Sequence, residues 1–332
     1  MEGSVFVLSG EELTFPSAEI VALVETYSKK VPCEKLSRRV VYSELKDPKI
    51  ISKITERAAY CRFGGKLVSI SARAEDLAKD LDASVASSEM SFAVKSESLD
   101  NDVCGDVGGQ IKEITRARVS LEEPECVYQV EMLDDGRFVL GVSNYGVKSF
   151  SWSTRRPRSR KFFLPSAIYP KLARLLVNLS HVSEDEYFLD PFCGTGSLLI
   201  EGSVMGIKTI GFDLTRWIAR GARMNLHGLS LDFESIIRAD STYSRFPLNR
   251  VDAIATDVPY GRASSTKGKD TAQIIKEFTA AAAGELNSDK YCVVMHPSHV
   301  ELDCGSSFEV SEQHLLYVHR NLTRAISVLR RR

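Results

Sequence analysis

From residue 166 onward, short apolar runs alternate with segments of helical period: YFLDPF, KTIGFDL, SIIRAD, VDAIATD and YCVVMHP are parted by stretches such as TRWIARGARMNL and TAQIIKEFTAAAAGEL. Runs this apolar belong to strands covered on both faces, and connections of helical length make neighbouring strands parallel. A helix with Leu172, Leu175, Leu176 and Leu179 on one face opens the series. The series closes differently. HLLYV and AISVL are separated only by His319 to Arg324, too short for a helical crossover, so the last two strands pair antiparallel. The expected architecture is α/β, a mostly parallel sheet with helices on both faces and an antiparallel last strand.

The preceding half reads as small α+β units. The start, MEGSVFVLSG, is an apolar strand, and Ser17 is a candidate N-cap ahead of Ile20, Leu23, Val24 and Tyr27 at helical spacing. VVYSEL at 40–45 predicts a strand. A helix is expected over 49–61, with Ile50, Ile54 and Ala58 inward and Gly64-Gly65 ending the segment. SFAVK at 91–95 reads as a strand and GGQIKEITRAR at 108–118 as a helix. CVYQVEML and RFVLGVSNY flank Asp134-Asp135-Gly136, where Asp-Gly supplies the backbone freedom of a tight hairpin. Between 146 and 165 the pattern breaks, with Pro157, Pro165 and five basic residues in the seven from Arg155 to Lys161. This marks an inter-domain linker. By itself it fits a solvated connector as well as a phosphate contact.

A chain of 332 residues exceeds what one compact domain usually holds. Residues 1–150 carry 19 basic and 25 acidic side chains and residues 151–332 carry 24 and 19, so a polyanion is expected to meet the second half. The overall net charge of −1 is not that of a generic nucleic-acid binder. MEGSVFVLSG has no basic n-region or apolar core, and nowhere do eighteen apolar residues run together. Neither export nor membrane spanning is expected, and a cytoplasmic protein is. Seven cysteines, at 33, 61, 104, 126, 193, 292 and 304, form no CxxC pair and leave an odd one, which suits reduced thiols and no structural metal. GRASSTKGKD has six residues between Gly261 and Gly268 and Asp270 after Lys269, so it is no P-loop. His296 and His299, with Pro297 after the first, read as solvated loop histidines, and Cys193 as a small packing residue.

In an open parallel sheet, ligands bind beyond the carboxyl ends of the strands. Acids stand at four such ends: Asp190, Asp213, Asp240 and Asp257. Asp190 enters PFCGTGSLLIEG, where Gly194 and Gly196 let the backbone pass close to a ligand. That turn alone fits a plain strand-to-helix turn or a nicotinamide dinucleotide site. Against the dinucleotide, Leu199 stands where a third glycine is needed, and an acid precedes the turn where a pyrophosphate would be repelled. Asp213 is placed to accept ribose hydroxyls and Asp240 to receive an adenine amino group. Jointly, a nucleoside with a charged amino-acid tail, S-adenosylmethionine, explains these features best. The fourth strand ends in Asp257-Val258-Pro259-Tyr260. A base's exocyclic amine is a poor nucleophile unless its N–H protons are held and developing charge is stabilised. Asp257 can accept one N–H and the Val258 carbonyl the other. Pro259 biases Val258 towards extended geometry, and Tyr260 offers a stacking face.

DPFCGTG followed by DVPY resembles the class I methyltransferases that modify amino groups, whose second motif usually reads Asp or Asn, Pro, Pro, Tyr or Phe. Val258 departs from that pattern, and the carbonyl survives the change. RRPRSRKFFLPSAIYPKLARLLVNLS, TDVPYGRAS and YVHRNLTRAISVLRR resemble archaeal tRNA guanine-10 N2-methyltransferases. The likeness is clear over 155–330. SFAVK and the 119–145 region more weakly resemble a THUMP domain, the RNA-end-binding module of those enzymes. This resemblance implies a ferredoxin-like unit over 1–48, a THUMP-like domain over 49–145, a basic linker over 146–165 and a seven-stranded Rossmann-like methyltransferase domain over 166–332. It also implies methyl transfer from S-adenosylmethionine to guanosine N2 in tRNA. Catalysis would rest on Asp257, Val258, Pro259 and Tyr260. The cofactor would be held by Asp190, Phe192, Gly194, Thr195, Gly196, Asp213, Leu214, Asp240, Ser241 and Asp257, and RNA by Arg155, Arg156, Arg158, Arg160 and Lys161. Another amine target, such as ribosomal guanine or DNA adenine, and a catalytically silent RNA-binding subunit are the alternatives. Need for a small activating protein partner is not decided by the sequence.

Overall fold

The computed structural model describes residues 2–10, 14–79, 81, 90–144, 151–242, 251–260 and 270–332. They form two compact units, one from 1–12 and 16–149 and the other from 13–15 and 150–332.

The first unit opens with β1 (Ser4–Leu8), α1 (Phe15–Tyr27), β2 (Cys33–Lys35), β3 (Val40–Ser43), α2 (Pro48–Arg57) and β4 (Cys61–Ser71). It continues with β5 (Ser91–Lys95), α3 (Asn101–Thr115), β6 (Arg118–Val119), β7 (Cys126–Met132) and β8 (Phe138–Ser143). All its strands join one eight-stranded sheet in the order β2-β3-β1-β4-β8-β7-β5-β6. The first four strands are antiparallel throughout, and with α1 and α2 they make a βαββαβ arrangement. That arrangement is complete only at Ser71, so the segment 1–48 contains three of its four strands. Fully buried β1 is central because SVFVL is apolar on both faces. Ile20, Leu23 and Val24 of α1 and Ile51 and Ile54 of α2 pack in one cluster with its Phe6 and Leu8.

Three local expectations change. Helix α1 starts at Phe15, ahead of Ser17, because Pro16 needs no N–H partner in a first turn. Helix α3 begins seven residues before Gly108, where the Asp100 carboxylate accepts from Val103 N. Buried Val107, Ile111 and Thr115 recur every fourth residue and carry it through its glycines. Gly64 and Gly65 lie inside β4 and end nothing. A Cβ at Gly64 would meet the Phe6 ring and one at Gly65 the Val142 carbonyl of β8, each inside any real contact distance. Gly65→Ala is expected to cost about 1–3 kcal/mol of stability, read by denaturant unfolding; an unchanged midpoint would show that β4 and β8 separate freely. The β7–β8 hairpin turns at Gly136, φ +84°, as its Asp-Gly pair predicts.

The second unit contains short 3-10 turns at Ser153–Arg155 and Pro157–Ser159, α4 (Pro170–Leu179), β9 (Tyr187–Asp190), α5 (Ser197–Val204), β10 (Lys208–Asp213), α6 (Arg216–Gly228) and β11 (Ser235–Arg238). After these come β12 (Ala253–Asp257), α7 (Thr271–Glu285), β13 (Tyr291–Pro297), β14 (Phe308–His319) and β15 (Leu322–Arg331). The seven-stranded sheet has the order β11-β10-β9-β12-β13-β15-β14. Strands β9 to β13 are parallel to their neighbours in that order, and β15 runs antiparallel to both β13 and β14. From β9 the chain winds outward to β11, then returns to the other side of β9 with β12. Strand order therefore reverses between β9 and β12, which leaves a crevice at their carboxyl ends.

The expected linker is not a free connector over its described residues, 151–165. Arg160 is buried and donates from Nε to the Arg155 carbonyl (2.9 Å) and from Nη1 to Ser197 Oγ (2.8 Å). Phe162 exchanges two hydrogen bonds with the Asn225 side chain, at 2.8 and 2.9 Å. The segment is a strap laid on α5 and α6. The remaining residues of the expected linker, 146–150, lie outside the described residues.

Candidate active site

A cleft of about 530 Å3 opens beyond the ends of β9, β10 and β12. Asp190, Asp213 and Asp257 all line it, with Phe192, Gly194, Thr195, Leu214, Val258, Pro259 and Tyr260. Asp240 and Ser241 do not. Asp240 turns its carboxylate onto Thr242, accepting from its N (3.2 Å) and Oγ1 (2.7 Å), and Ser241 Oγ donates to the Pro191 carbonyl. Ser241 so holds the turn after β9 from behind.

The glycine turn splits its labour. Cys193 N donates to the Phe212 carbonyl (2.8 Å) and Gly196 N to the Cys193 carbonyl (2.7 Å), folding the turn back over β10. Gly194 and Gly196 both have positive φ, +51° and +82°, which only glycine adopts freely. A Cβ on Gly194 would meet nothing within 4 Å, so this backbone stays open to a ligand. One on Gly196 would press on Leu226 of α6, so this glycine serves helix packing. Burial raises the Cys193 thiol well above its ordinary range, which leaves it protonated and inert.

The acids differ in environment. Asp190 is buried and accepts from Thr256 Oγ1 (2.8 Å) and Phe192 N (3.2 Å). Burial nevertheless pushes it up to about 7, with the neighbouring Asp257 and Asp213 charges adding to the rise. Burial also raises Asp213, although Thr215 N donates to it at 2.7 Å. Asp257, likewise pushed up to about 7 by burial, has one opposing charge among the described residues: Arg324 Nη1 lies 3.8 Å from its Oδ2. Its Oδ1 is buried and has no hydrogen-bond partner among the described residues, and the same holds for Arg324 Nε. The Arg324 guanidinium sits 5.5 Å from the centre of the Tyr260 ring. Val258 is buried, and its N–H donates to the Met295 carbonyl (3.1 Å), carrying the β12–β13 pairing past the strand end. A proline there lacks that donor, so this hydrogen bond supplies the stiffness that the ring would otherwise give.

Unfolded aspartates ionise near 3.8, whereas Asp190 and Asp257 hold their protons to about 7 in the folded protein. A raised folded pKa contributes stability below pH 4 that is lost as pH climbs through 7. Asp190→Asn is therefore expected to raise the Tm of the ligand-free protein more at pH 8 than at pH 5 by scanning calorimetry. Equal shifts at both would contradict the burial argument.

The basic run divides. Arg155 points inward to Glu201, from Nε to Oε1 at 2.7 Å, and Arg174 meets the same carboxylate at 2.9 Å. Arg155 and Arg160 therefore anchor the strap, while Arg156, Arg158 and Lys161 stay exposed. His296 is not a solvated loop residue. It is buried in β13, with Nδ1 donating to the Pro297 carbonyl and Nε2 accepting from Ser327 Oγ, both at 3.0 Å, and burial lowers its pKa. Arg324 and Glu201 were not legible as site or anchoring residues. Their signals were faint: a charge at the head of an apolar strand, and one acid in the apolar helix SLLIEGSV.

The sequence profile described as RMKL-like, methyltransferase domain, matches residues 157–326. A tRNA (guanine(10)-N2)-dimethyltransferase of Methanothermobacter thermautotrophicus is 33% identical over 98% of this chain and 98% of its own. The chain belongs to this methyltransferase family. A protein of the same name from Methanocaldococcus jannaschii is 30% identical over 98% of this chain and 99% of its own. Among solved structures, TrmN from Thermus thermophilus aligns over 99% of both chains with a TM-score of 0.54 at 16% identity, a likeness of fold. The family's matched segment begins inside the strap, at Pro157, in keeping with the strap's packing on α5 and α6.

Proposed function

We propose that the protein methylates the exocyclic N2 amine of a guanosine in tRNA, at position 10 by likeness to its full-length relatives, whose names extend this to two methyl groups. S-adenosylmethionine is the methyl donor in this reading. The cleft suits it: the volume fits a nucleoside with a tail, Gly194 leaves open space, and three carboxylates face a cationic ligand. Asp190, Phe192, Gly194 and Thr195 would hold its amino-acid end, and Asp213 and Leu214 its ribose. When bound, it supplies an electrophilic methyl group on a positively charged sulfur.

The observation that carries the reading is the buried, unpartnered Oδ1 of Asp257, standing in the switch-point cleft beside Tyr260. A buried acceptor without a donor costs free energy, and an amine N–H relieves it. With that N–H held, the nitrogen lone pair is freed from the ring. As the N–C bond formed, the methyl–sulfur bond would break with its electron pair passing to sulfur, and the proton lost from nitrogen would pass to the Asp257 carboxylate, which Arg324 helps keep ionised. Arg324 Nε, also unpartnered, offers a donor beside it, and guanine carries an acceptor, ring N3, next to its N2 amine. Guanine N2 in a stem is paired, so the nucleotide leaves the helix and stacks on Tyr260. Alignment of donor and acceptor contributes most to the rate, about 7–11 kcal/mol of the barrier.

In the same reading, β1–β4 form a ferredoxin-like unit, α3 and β5–β8 belong to the THUMP-like domain, and a soluble cytoplasmic protein acts on tRNA. Among the described residues no helix is long and apolar enough to cross a membrane. The test is mass analysis of nucleosides from tRNA, ribosomal RNA and DNA incubated with the protein and labelled donor. Label in N2-methylated guanosine from tRNA is expected. Label chiefly in adenine or DNA would overturn the substrate.

A further inference from the structure

The outer face of α6 and the strap lying along it form a basic surface with an exposed aromatic residue at the mouth of the cleft. Sequence and packing assemble it together. From Arg137 to Ser183 and from Leu214 to Leu231 there is no acidic residue, and these stretches hold the strap and all of α6. Arg155 and Arg160 turn inward and fix the strap, which leaves Arg156, Arg158 and Lys161 outward. Lys161 lies against Gly228 of α6, and a Cβ there would be 3.0 Å from its Cδ. Phe162 packs on Gly221 and meets Trp217 edge-on, with ring centres 5.6 Å apart. On α6, Arg216 and Arg220 are exposed one turn apart, and Trp217 between them is 57% exposed. Arg223 differs, since its guanidinium donates to the Ile236 carbonyl and is used within the fold.

Local energetics alone do not favour this arrangement. Arg216 is the first residue of α6, where the helix dipole disfavours a cation, and Thr215 gives no side-chain cap. Like charges four residues apart on a helix also repel. Residues that break a local rule without an internal gain point to an external ligand. No carboxylate of the described residues pairs with Arg156, Arg158, Lys161, Arg216 or Arg220. The face meets the cleft at Trp217, which lines it together with Leu164 and Pro165 of the strap.

We infer that this surface, chiefly Arg216, Arg220, Arg156, Arg158 and Lys161 around Trp217, grips the RNA phosphates flanking the target nucleotide. This rests on the proposed action on RNA. A polyanionic strand fits because the cations follow one helix face and the strap beside it, and because Trp217 offers a neighbouring base a stacking surface. An acidic protein would use the cations and leave the exposed indole without a stacking partner.

The test is the salt dependence of tRNA binding by wild-type protein and by the Arg216→Ala/Arg220→Ala double variant. Loss of two phosphate contacts should reduce the slope of log K against log salt by about 1.4–1.8, with S-adenosylmethionine affinity unchanged by calorimetry. Arg216→Lys/Arg220→Lys should restore most of the slope. Arg330→Ala, at the other end of the sheet and paired with Asp289, should leave it as it was. A wild-type protein that methylates tRNA, together with an unchanged slope in the alanine double variant, overturns the surface and spares the reading of function. A wild-type protein that methylates no tRNA overturns that reading and this inference with it.

Discussion

Asp257→Ala is expected to lower methyl transfer to tRNA by about 10²–10⁴-fold or more, while S-adenosylmethionine should still bind. Oδ1 is a buried acceptor without a partner among the described residues, so its removal takes away the hold on the amine and leaves the cleft walls in place. Asp190 and Asp213 remain to meet the donor. Single-turnover rates with labelled donor, set beside calorimetric binding, separate the two effects. Asp257→Asn keeps an acceptor oxygen and loses the proton-accepting charge, so it should fall between wild type and alanine. Full activity in the alanine variant would remove Asp257 from the chemistry and the reading of the site with it.

Arg324→Met is expected to move the acid limb of the pH profile of kcat/KM to higher pH. Burial drives Asp257 up to about 7, and among the described residues Arg324 is the cation that opposes it. Among the described residues, the titratable and charged groups that line the cleft with Asp257 are Asp190 from β9, Asp213 from β10, Tyr260 from the following loop and Arg324 from β15. Three of these are neutral or negative. Without Arg324 the carboxylate ionises later, and the first pH unit of displacement from about 7 lowers the ionised fraction at neutral pH about fivefold. Raising the pH should recover much of the loss, and Arg324→Lys should move the limb less. A fall of equal depth at every pH would instead mean that Arg324 acts by packing against Tyr260.

Much of this site could be read along the chain. Apolar strands of the C-terminal half stand out because both faces are covered, and their ends follow from where each run stops. That places Asp190, Asp213 and Asp257 at one edge of a parallel sheet from the order of residues alone. Asp240 obeys the same rule and still misses the cleft, because two residues beyond β11 the chain has already turned and the carboxylate caps Thr242. The five-cation strap shows a similar limit. Spacing does not tell that Glu201, buried in α5, waits for Arg155 and Arg174.

The sequence alone determined the α/β class, the antiparallel end of the sheet, the glycine turn and the acid-Val-Pro-Tyr motif, since each depends on local period, turn chemistry or element length. Tertiary structure decided which charges meet. Arg324 reaches Asp257 only because β15 inserts beside β13 and sets Arg324 opposite Pro297, past the end of β12. Such pairing is a matter of register between strands distant in sequence. Side-chain period states which face a residue takes and leaves open which neighbour stands across the sheet.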